Sequence, residues 1–556
     1  MLRLFARPIH SITGAAMVIA GAGFASRLLG VVRDRILAGT FGAGDLLDAY
    51  YAAFRIPDLL FKVIIAGALS AGFIPLFLEL KGKKDEAAWK LTSRAINVFG
   101  TVLIAGAAVL YVFTPFITRL IAPGFEGEQF DLTVRLTRLM FLSPLFLGLS
   151  SIFGSVLQAQ KLFLINALAP VLYNVGIIAG VLVLAPYYGI WGAAYGVIAG
   201  AFLHFIVQIP SCIRAGFRYR FIFGIRDSAF LTLIRLMIPR ALTLAAYQVT
   251  IIVVTLFATL LTDGSVAMIQ LADNMQGVAV GLFGVSFALA AFPALSEMAS
   301  KKDVRGFIDQ LSSVTRQVLY LVVPVSFLFI VLRTELVRVI LGSGHFDWED
   351  TILTADTMAF LSIGLFALCL VLVFVRAFYA WQDTKTPLMA AVFGTLGGVV
   401  SAYFFKDLFV VWFNDADAGV IGLGAALSLS QLINLGFLWI MLRRRFNTAE
   451  PRFQFLGSIT KRFSGTEKNI VVSLLKIVGA SVVMLLVVQA LKEVIGVRVD
   501  LQTFWGVFAR LVVPGTVGVI VYCALTALLK SPEWEMFRES ARRKWLRLRA
   551  GQEIEG

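Results

Sequence analysis

Five cations and, apart from Asp45 at the turn, three carboxylates interrupt two apolar segments between Gly23 and Pro75, GFASRLLGVVRDRILAGTFGAGDLLDAYYAAFRIPDLLFKVIIAGALSAGFIP. Arg27, Arg33, Asp34 and Arg35 lie in the first segment, and Asp48, Arg55, Asp58 and Lys62 in the second, joined by a Gly-rich turn at Phe41 to Gly44. Asp48, Arg55 and Lys62 are spaced by seven, which keeps them on one helical stripe with about 20° of drift per step. Asp58 joins that stripe at i+3 from Arg55 and i−4 from Lys62. The stripe runs about 21 Å along a helix axis, most of the ~30 Å hydrocarbon thickness, so its members cannot all reach one surface. Pro57 removes a backbone donor within it and predicts a kink. On the first segment Arg27 and Asp34 share a face at i+7, with Arg33 roughly 120° round.

A charge at bilayer depth costs about 2.5–3.5 kcal/mol on insertion scales, so these groups are expected to face a protein interior or a wet cavity. Guanidinium groups suit the forked oxygens of a phosphate or pyrophosphate. The chemistry expected is therefore non-covalent capture of an anion. The competing reading is that Asp34 and Asp58 neutralise the nearby arginines in pairs that only hold helices together, a role that fits Arg35 best. Against it, the cations within the two segments outnumber Asp34, Asp48 and Asp58 by five to three, and such a surplus is costly unless an anion or water meets it. No Walker loop, HExxH motif or convincing catalytic dyad occurs, so no catalytic residue and no metal ligand is assigned.

The elements that must hold these groups are membrane spans. Of 556 residues, 59% are hydrophobic and only 15% charged, against about 25% charged in soluble proteins. Apolar windows predict an all-α polytopic membrane protein with about fourteen spans. They lie at 11–40, 46–79, 95–121, 131–158, 162–186, 189–213, 229–261, 265–298, 310–342, 352–381, 386–411, 418–442, 469–494 and 503–529. No signal-peptide core precedes Arg27, so the first span is expected to stay. The net charge of +15 collects in alternate loops, which fits membrane topology rather than nucleic-acid binding and puts both termini in the cytoplasm. Arg3 and Arg7, Lys83 and Lys84, Arg218 and Arg220, Arg443 to Arg445, and Arg542 to Lys544 mark that side. Three scattered cysteines and three scattered histidines offer neither a disulfide framework nor a metal site.

An internal repeat divides the first twelve spans. Phe41 to Asp45 aligns with Leu261 to Ser265, Pro75 with Pro293, Lys83-Lys84-Asp85 with Lys301-Lys302-Asp303, and Gln160-Lys161 with Gln382-Asp383, at offsets of 218 to 222. Two six-helix lobes in one orientation follow, at 1–220 and 221–445. A cytoplasmic linker at 446–468, two further helices at 469–530 and a basic cytoplasmic tail at 531–556 complete the division. At an offset of 220, Arg27 falls on Tyr247, Arg33 on Val253 and Arg55 on Met275, so the second lobe lacks the basic stripe. Its eighth span offers Gln270, Asp273, Asn274 and Gln276 instead. The cavity is expected to be asymmetric, with a cationic first half and neutral hydrogen bonding from the second.

These residues resemble the MurJ (MviN) family, the lipid II flippases of the multidrug, oligosaccharidyl-lipid and polysaccharide exporter superfamily. Ser26-Arg27-Leu28-Leu29-Gly30 with Arg33-Asp34, FGAGDLLDAYYAAFRIPDLL at 41–60, GALSAGFIP at 67–75 and FYAWQDTKTP at 378–387 carry the resemblance, which covers essentially the whole chain. It implies a two-lobed fourteen-helix fold in the bacterial inner membrane that moves undecaprenyl-pyrophosphate-linked peptidoglycan precursor by alternating access. It also implies that Arg27, Arg33 and Arg55 line a central cavity and that the last two spans form a groove for the lipid tail. The substrate-binding set expected is Ser26, Arg27, Arg33, Asp48, Arg55, Asp58, Lys62 and Asn274. The chain departs from many members at Phe61, where they have a basic residue, at Ala66, where they have an acid, and at Asn274, where they have Arg. Where some members bind sodium through acids or amides, span seven has Val253 and Val254 in its middle and LMAAVFGTLGGVVSAYFF of span eleven has no Asn or Asp, so membrane potential is the expected drive. No cofactor is expected, and the partners are lipid II and membrane lipids around a monomer. The alternatives are export of another polyprenyl-linked oligosaccharide, or a membrane glycosyltransferase acting on the same lipid.

Overall fold

A computed structural model describes residues 12–66, 72–224, 226–447 and 457–549, and all regular structure among them is helical. Arg3 and Arg7, linker residues 448–456 and the last residues of the tail lie outside the described residues. Among the described residues, eleven helices are long and apolar enough to cross a membrane, or twelve if one bent pair counts as a span. The first two expected spans are not in that set. One is the charged helix α1 (Ile12–Phe41), and the other is broken into α2 (Asp45–Ala53), α3 (Arg55–Phe61), a π-helical turn at Lys62–Ala66, and α4 (Ile74–Lys83). The break falls at Phe54, three residues before Pro57. Proline has no N–H to give the Ala53 carbonyl, so the chain tightens there, with Phe54 N–H turning to Tyr51 at 3.3 Å.

The chain forms two compact units. The first runs to Ala267 and includes Ser343–Asp347; the second takes Met268–Gly342 and the chain from Trp348 onward. This division follows packing and differs in kind from the sequence repeat, because the first helix of the second repeat packs with the first unit.

The first unit adds α5 (Asp85–Ile121), α6 (Gly127–Met140), α7 (Leu142–Ala159), α8 (Phe163–Ala179), α9 (Ala185–Tyr188), α10 (Ile190–Ile206), α11 (Ile209–Arg214) and α12 (Ser228–Ala258). Phe73, Phe77, Phe99, Leu103, Phe153 and Phe230 centre its core. α8 and α10 approach so closely that a Cβ on Gly176 would sit 2.3 Å from the Gly200 Cα. Small residues let backbones pack in this way, and α8 in turn lies along α1.

The second unit holds most of α13 (Ser265–Ala279), then α14 (Ser286–Ser300), α15 (Val304–Val331), α16 (Arg333–Ile340), α17 (Trp348–Ile363), α18 (Leu365–Ala380), α19 (Lys385–Phe413), α20 (Gly419–Asn447), α21 (Gly457–Gly496), α22 (Phe504–Leu528) and α23 (Pro532–Arg549). Phe307, Val322, Phe374 and Phe378 are buried at its centre. α17 and α18 bend by 44° at Gly364, whose N–H donates to Ser428 Oγ at 3.1 Å. The appended helices α21 and α22 are fastened to α15 and α16. Tyr522 donates to the Tyr320 carbonyl at 2.7 Å, and Lys492 Nζ donates to the Val331 carbonyl at 2.6 Å. Lys492 and Arg510 both reach the buried Glu335 carboxylate, at 3.1 and 3.4 Å.

Backbone features recur at the repeat offset. Gly42 and Gly264 both have positive φ, 69° and 86°, as do Lys161 and Gln382, at 61° and 57°. The π-helical turn at Lys62–Ala66 has its counterpart at Val280–Val285. The α6–α7 break at Phe141 has a near counterpart in the α17–α18 break at Gly364, one residue beyond the repeat's range of offsets.

Candidate functional site

The seven-residue stripe lies along α12 and the turn that follows it. Asp48, 2% exposed, accepts from the N–H of Gly264 at 2.9 Å and of Ala267 at 2.7 Å. Its carboxylate thus satisfies orphan donors at the start of α13, where a negative charge also suits the helix dipole. Arg55, also buried, donates through Nε to Thr255 Oγ1 at 2.7 Å. The Thr255 hydroxyl gives its own proton to the Ile251 carbonyl at 2.9 Å, which leaves a lone pair for the guanidinium. Lys62 Nζ donates to Gln248 Oε1 at 2.8 Å and lies 3.7 Å from Asp58 Oδ2. Asp58 also interacts electrostatically with Arg55. Thr255 and Gln248 are themselves seven apart and met in reverse order, so the two helices run antiparallel with their polar stripes in register.

A second network joins α1 to α8. Arg33 donates through Nε and Nη2 to Asp34 Oδ1 at 2.9 and 2.7 Å, and through Nη1 to Asn174 Oδ1 at 3.1 Å. The Asn174 amide donates in turn to the Ser26 carbonyl at 3.1 Å, to Ser26 Oγ at 3.3 Å and to the Pro170 carbonyl at 3.2 Å. The glycine-mediated packing of α8 thereby fixes the Arg33 fork. Arg27 is different. It is partly exposed and makes no hydrogen bond or ion pair with any described residue.

The charges can now be apportioned. Asp34 pairs with Arg33, Asp48 is committed to backbone amides, and Asp58 faces both Arg55 and Lys62. Among the described residues no carboxylate pairs with Arg27. The arrangement can hold an anion without performing covalent chemistry on it.

Asn274 lies in the second unit, where it accepts from Gln270 Nε2 at 2.9 Å. Its neighbour Gln276 is buried and donates to the Leu361 carbonyl at 2.7 Å, tying α13 to α17. Sequence reasoning passed over four groups. Asn174 lies on α8, and Gln248 and Thr255 on α12, among other polar residues of those helices; the available signal was the seven-residue interval from Gln248 to Thr255, which equals that from Arg55 to Lys62. Arg376, the one charge in LFALCLVLVFVRAFYA, has a buried Nη1 without a hydrogen-bond partner among the described residues.

Outside the spans, the Asp45 carboxyl is raised above its ordinary range by loss of hydration and then by the neighbouring Asp263 carboxylate. Gln129 Nε2 donates to Asp45 Oδ1 at 3.1 Å.

The family model described as Lipid II flippase MurJ matches residues 37–512. The chain is 29% identical over 443 residues to the Lipid II flippase MurJ of Burkholderia cenocepacia, covering 78% of this chain and 84% of that protein. It is 30% identical over 426 residues to the Probable lipid II flippase MurJ of Thermotoga maritima, covering 76% and 84%. Among solved structures, a lipid II flippase MurJ in an inward closed conformation matches with a TM-score of 0.73 at 25% identity, over 92% of this chain and 98% of that one. An inward-facing multidrug resistance MATE family transporter of the MOP superfamily matches at a TM-score of 0.58 and 14% identity, over 77% and 98%, a likeness of fold alone.

Proposed function

The chain belongs to the lipid II flippase MurJ family, and from that premise we propose that it moves lipid II across the bacterial inner membrane by alternating access. The observation that carries this reading beyond the family is Arg27, a cation in an apolar helix with no partner among the described residues. A pyrophosphate supplies the missing counter-charge, and its forked oxygens suit Arg27, Arg33 and Arg55. Ser26, Asp58, Lys62 and Asn274 shape the surroundings of that head group, and Asp48 holds the helix start that frames it. The repeat lobes, 1–220 and 221–445, alternate about the site, and residues 469–530 receive the lipid tail. Both termini are cytoplasmic, the working unit is a monomer, and no bond in the lipid is made or broken. Membrane potential drives the step, because moving the anionic head outward is favoured by an inside-negative interior.

The test is native mass spectrometry of the purified protein for a copurified species of lipid II mass, followed by flipping of that lipid in proteoliposomes with and without an imposed potential. Loss of both binding and flipping in Arg27→Ala is expected. A lipid of different head-group mass would favour another polyprenyl-linked oligosaccharide, and a change in the lipid's mass during the assay would favour glycosyl transfer. Flipping that is indifferent to the potential at constant sodium would remove the proposed drive.

A further inference from the structure

After α22 the chain turns sharply, with Lys530 in the left-handed region at φ 47° and Ser531 N–H donating to the Thr526 carbonyl at 3.0 Å. α23 follows for 18 residues. Its first turn is fastened to the second unit. Glu533 is 2% exposed and accepts from Ser531 Oγ at 2.5 Å and from Arg316 at 3.3 Å, while Trp534 packs at the edge of the core. Beyond that anchor, apolar surface is open. Phe537 is 55% exposed, and Leu528, at the end of α22, is 78% exposed.

The sequence of α23 sorts its residues by face. Trp534, Phe537, Ala541, Trp545 and Leu548 recur at steps of three and four, the spacing of one narrow helical stripe. Arg538, Arg542, Arg543, Lys544, Arg547 and Arg549 fill positions off that stripe, and no acid follows Glu539 within the helix. A partner protein's apolar patch would match the stripe but leave six cations unanswered. Anionic lipid head groups answer both, since they present acyl chains to the stripe and phosphates to its flanks.

We propose that α23 lies in the head-group layer at the end of α22 and binds anionic phospholipid. The proposal rests on the membrane reading above for the side on which α23 lies, but not on the identity of the transported lipid. Through the Glu533–Arg316 contact, lipid capture by α23 steadies the middle of α15.

The test uses the full chain in nanodiscs of phosphatidylcholine alone or mixed with phosphatidylglycerol, with amide hydrogen exchange followed over residues 537–549. Both leaflets are accessible in a nanodisc, and no transport is measured, so failure of the flippase reading leaves the result intact. Exchange is expected to be about tenfold slower with phosphatidylglycerol. The triple variant R542Q/R543Q/K544Q should lose that slowing while residues 532–536 exchange as before. Equal exchange in both membranes, or slowing that survives the triple variant, would overturn the proposal. So would slowing in detergent that grows with protein concentration, which would assign the face to a second copy of the chain.

Discussion

Arg55 on α3 donates to Thr255 on α12 at 2.7 Å, and one heptad along, Lys62 donates to Gln248 at 2.8 Å. Matching intervals on antiparallel helices mean that a slip of either helix by one residue breaks both pairs together. The register is therefore specified by polar groups inside an apolar environment, where an unmet donor is costly.

Thr255→Val keeps the side-chain shape and removes the acceptor for Arg55. A buried guanidinium left short of one partner should lower stability by about 1–3 kcal/mol. Gln248→Leu should cost less, because Lys62 is partly exposed and has Asp58 within 3.7 Å. Thermal unfolding in detergent checks the order; a larger loss at Gln248 would contradict it.

Arg27→Ala removes a group that makes no hydrogen bond or ion pair with a described residue, so the melting temperature should move by only about 1–2 °C. Flipping of lipid II should fall by about tenfold or more, the worth of a charge-assisted contact. Arg27→Lys keeps the charge but not the fork and should fall between the two. Full flipping by Arg27→Ala would show that its charge is not used.

Asp48→Ala strips both acceptors from the start of α13 and should cost about 0.5–2 kcal/mol for the lost cap. Asp48→Asn retains one acceptor oxygen and should lose about half as much. Equal melting temperatures for Asn and Ala would show that the charge, not the hydrogen bonds, matters.

In the folded chain Asp45 keeps its proton to higher pH than in the unfolded one, because of lost hydration and the nearby Asp263 charge. The folded state thus binds more protons just above the ordinary carboxylate range, and stability falls as pH rises through that window. Asp263→Asn removes the second cause and should make the fall shallower. Melting temperatures across the mildly acidic range decide this, and a steeper fall in the variant would contradict it.

Gly176→Val would drive a side chain into the Gly200 backbone, where even a Cβ sits 2.3 Å from Cα. α8 should shift, and Asn174 with it, so Arg33 loses its amide partner. Expect a loss of folded yield in size-exclusion chromatography; a normal profile with normal flipping would show that α8 has room to move.

The helical class, the repeat and the charged stripe were legible in the sequence because hydropathy and seven-residue spacing are local signals. The partners of the stripe were not. Spacing shows that Arg55 and Lys62 share a face, but not that α12 covers it, since that depends on contacts some 200 residues away. Asp48 illustrates the same limit: read as a charge in a cavity, it proves to accept from backbone amides of a turn that only the folded chain brings near. The kink expected at Pro57 was legible, but its place one turn earlier follows from which carbonyl the proline leaves without a donor.

Glu335 sits between Lys492 and Arg510, one from each appended helix, while Tyr320 and Tyr522 clasp lower on the same wall. Parting those helices from α15 and α16 would expose an ammonium, a guanidinium and an orphaned carboxylate to hydrocarbon in a single event. The tail-end pair is therefore built into that wall rather than tethered beside it.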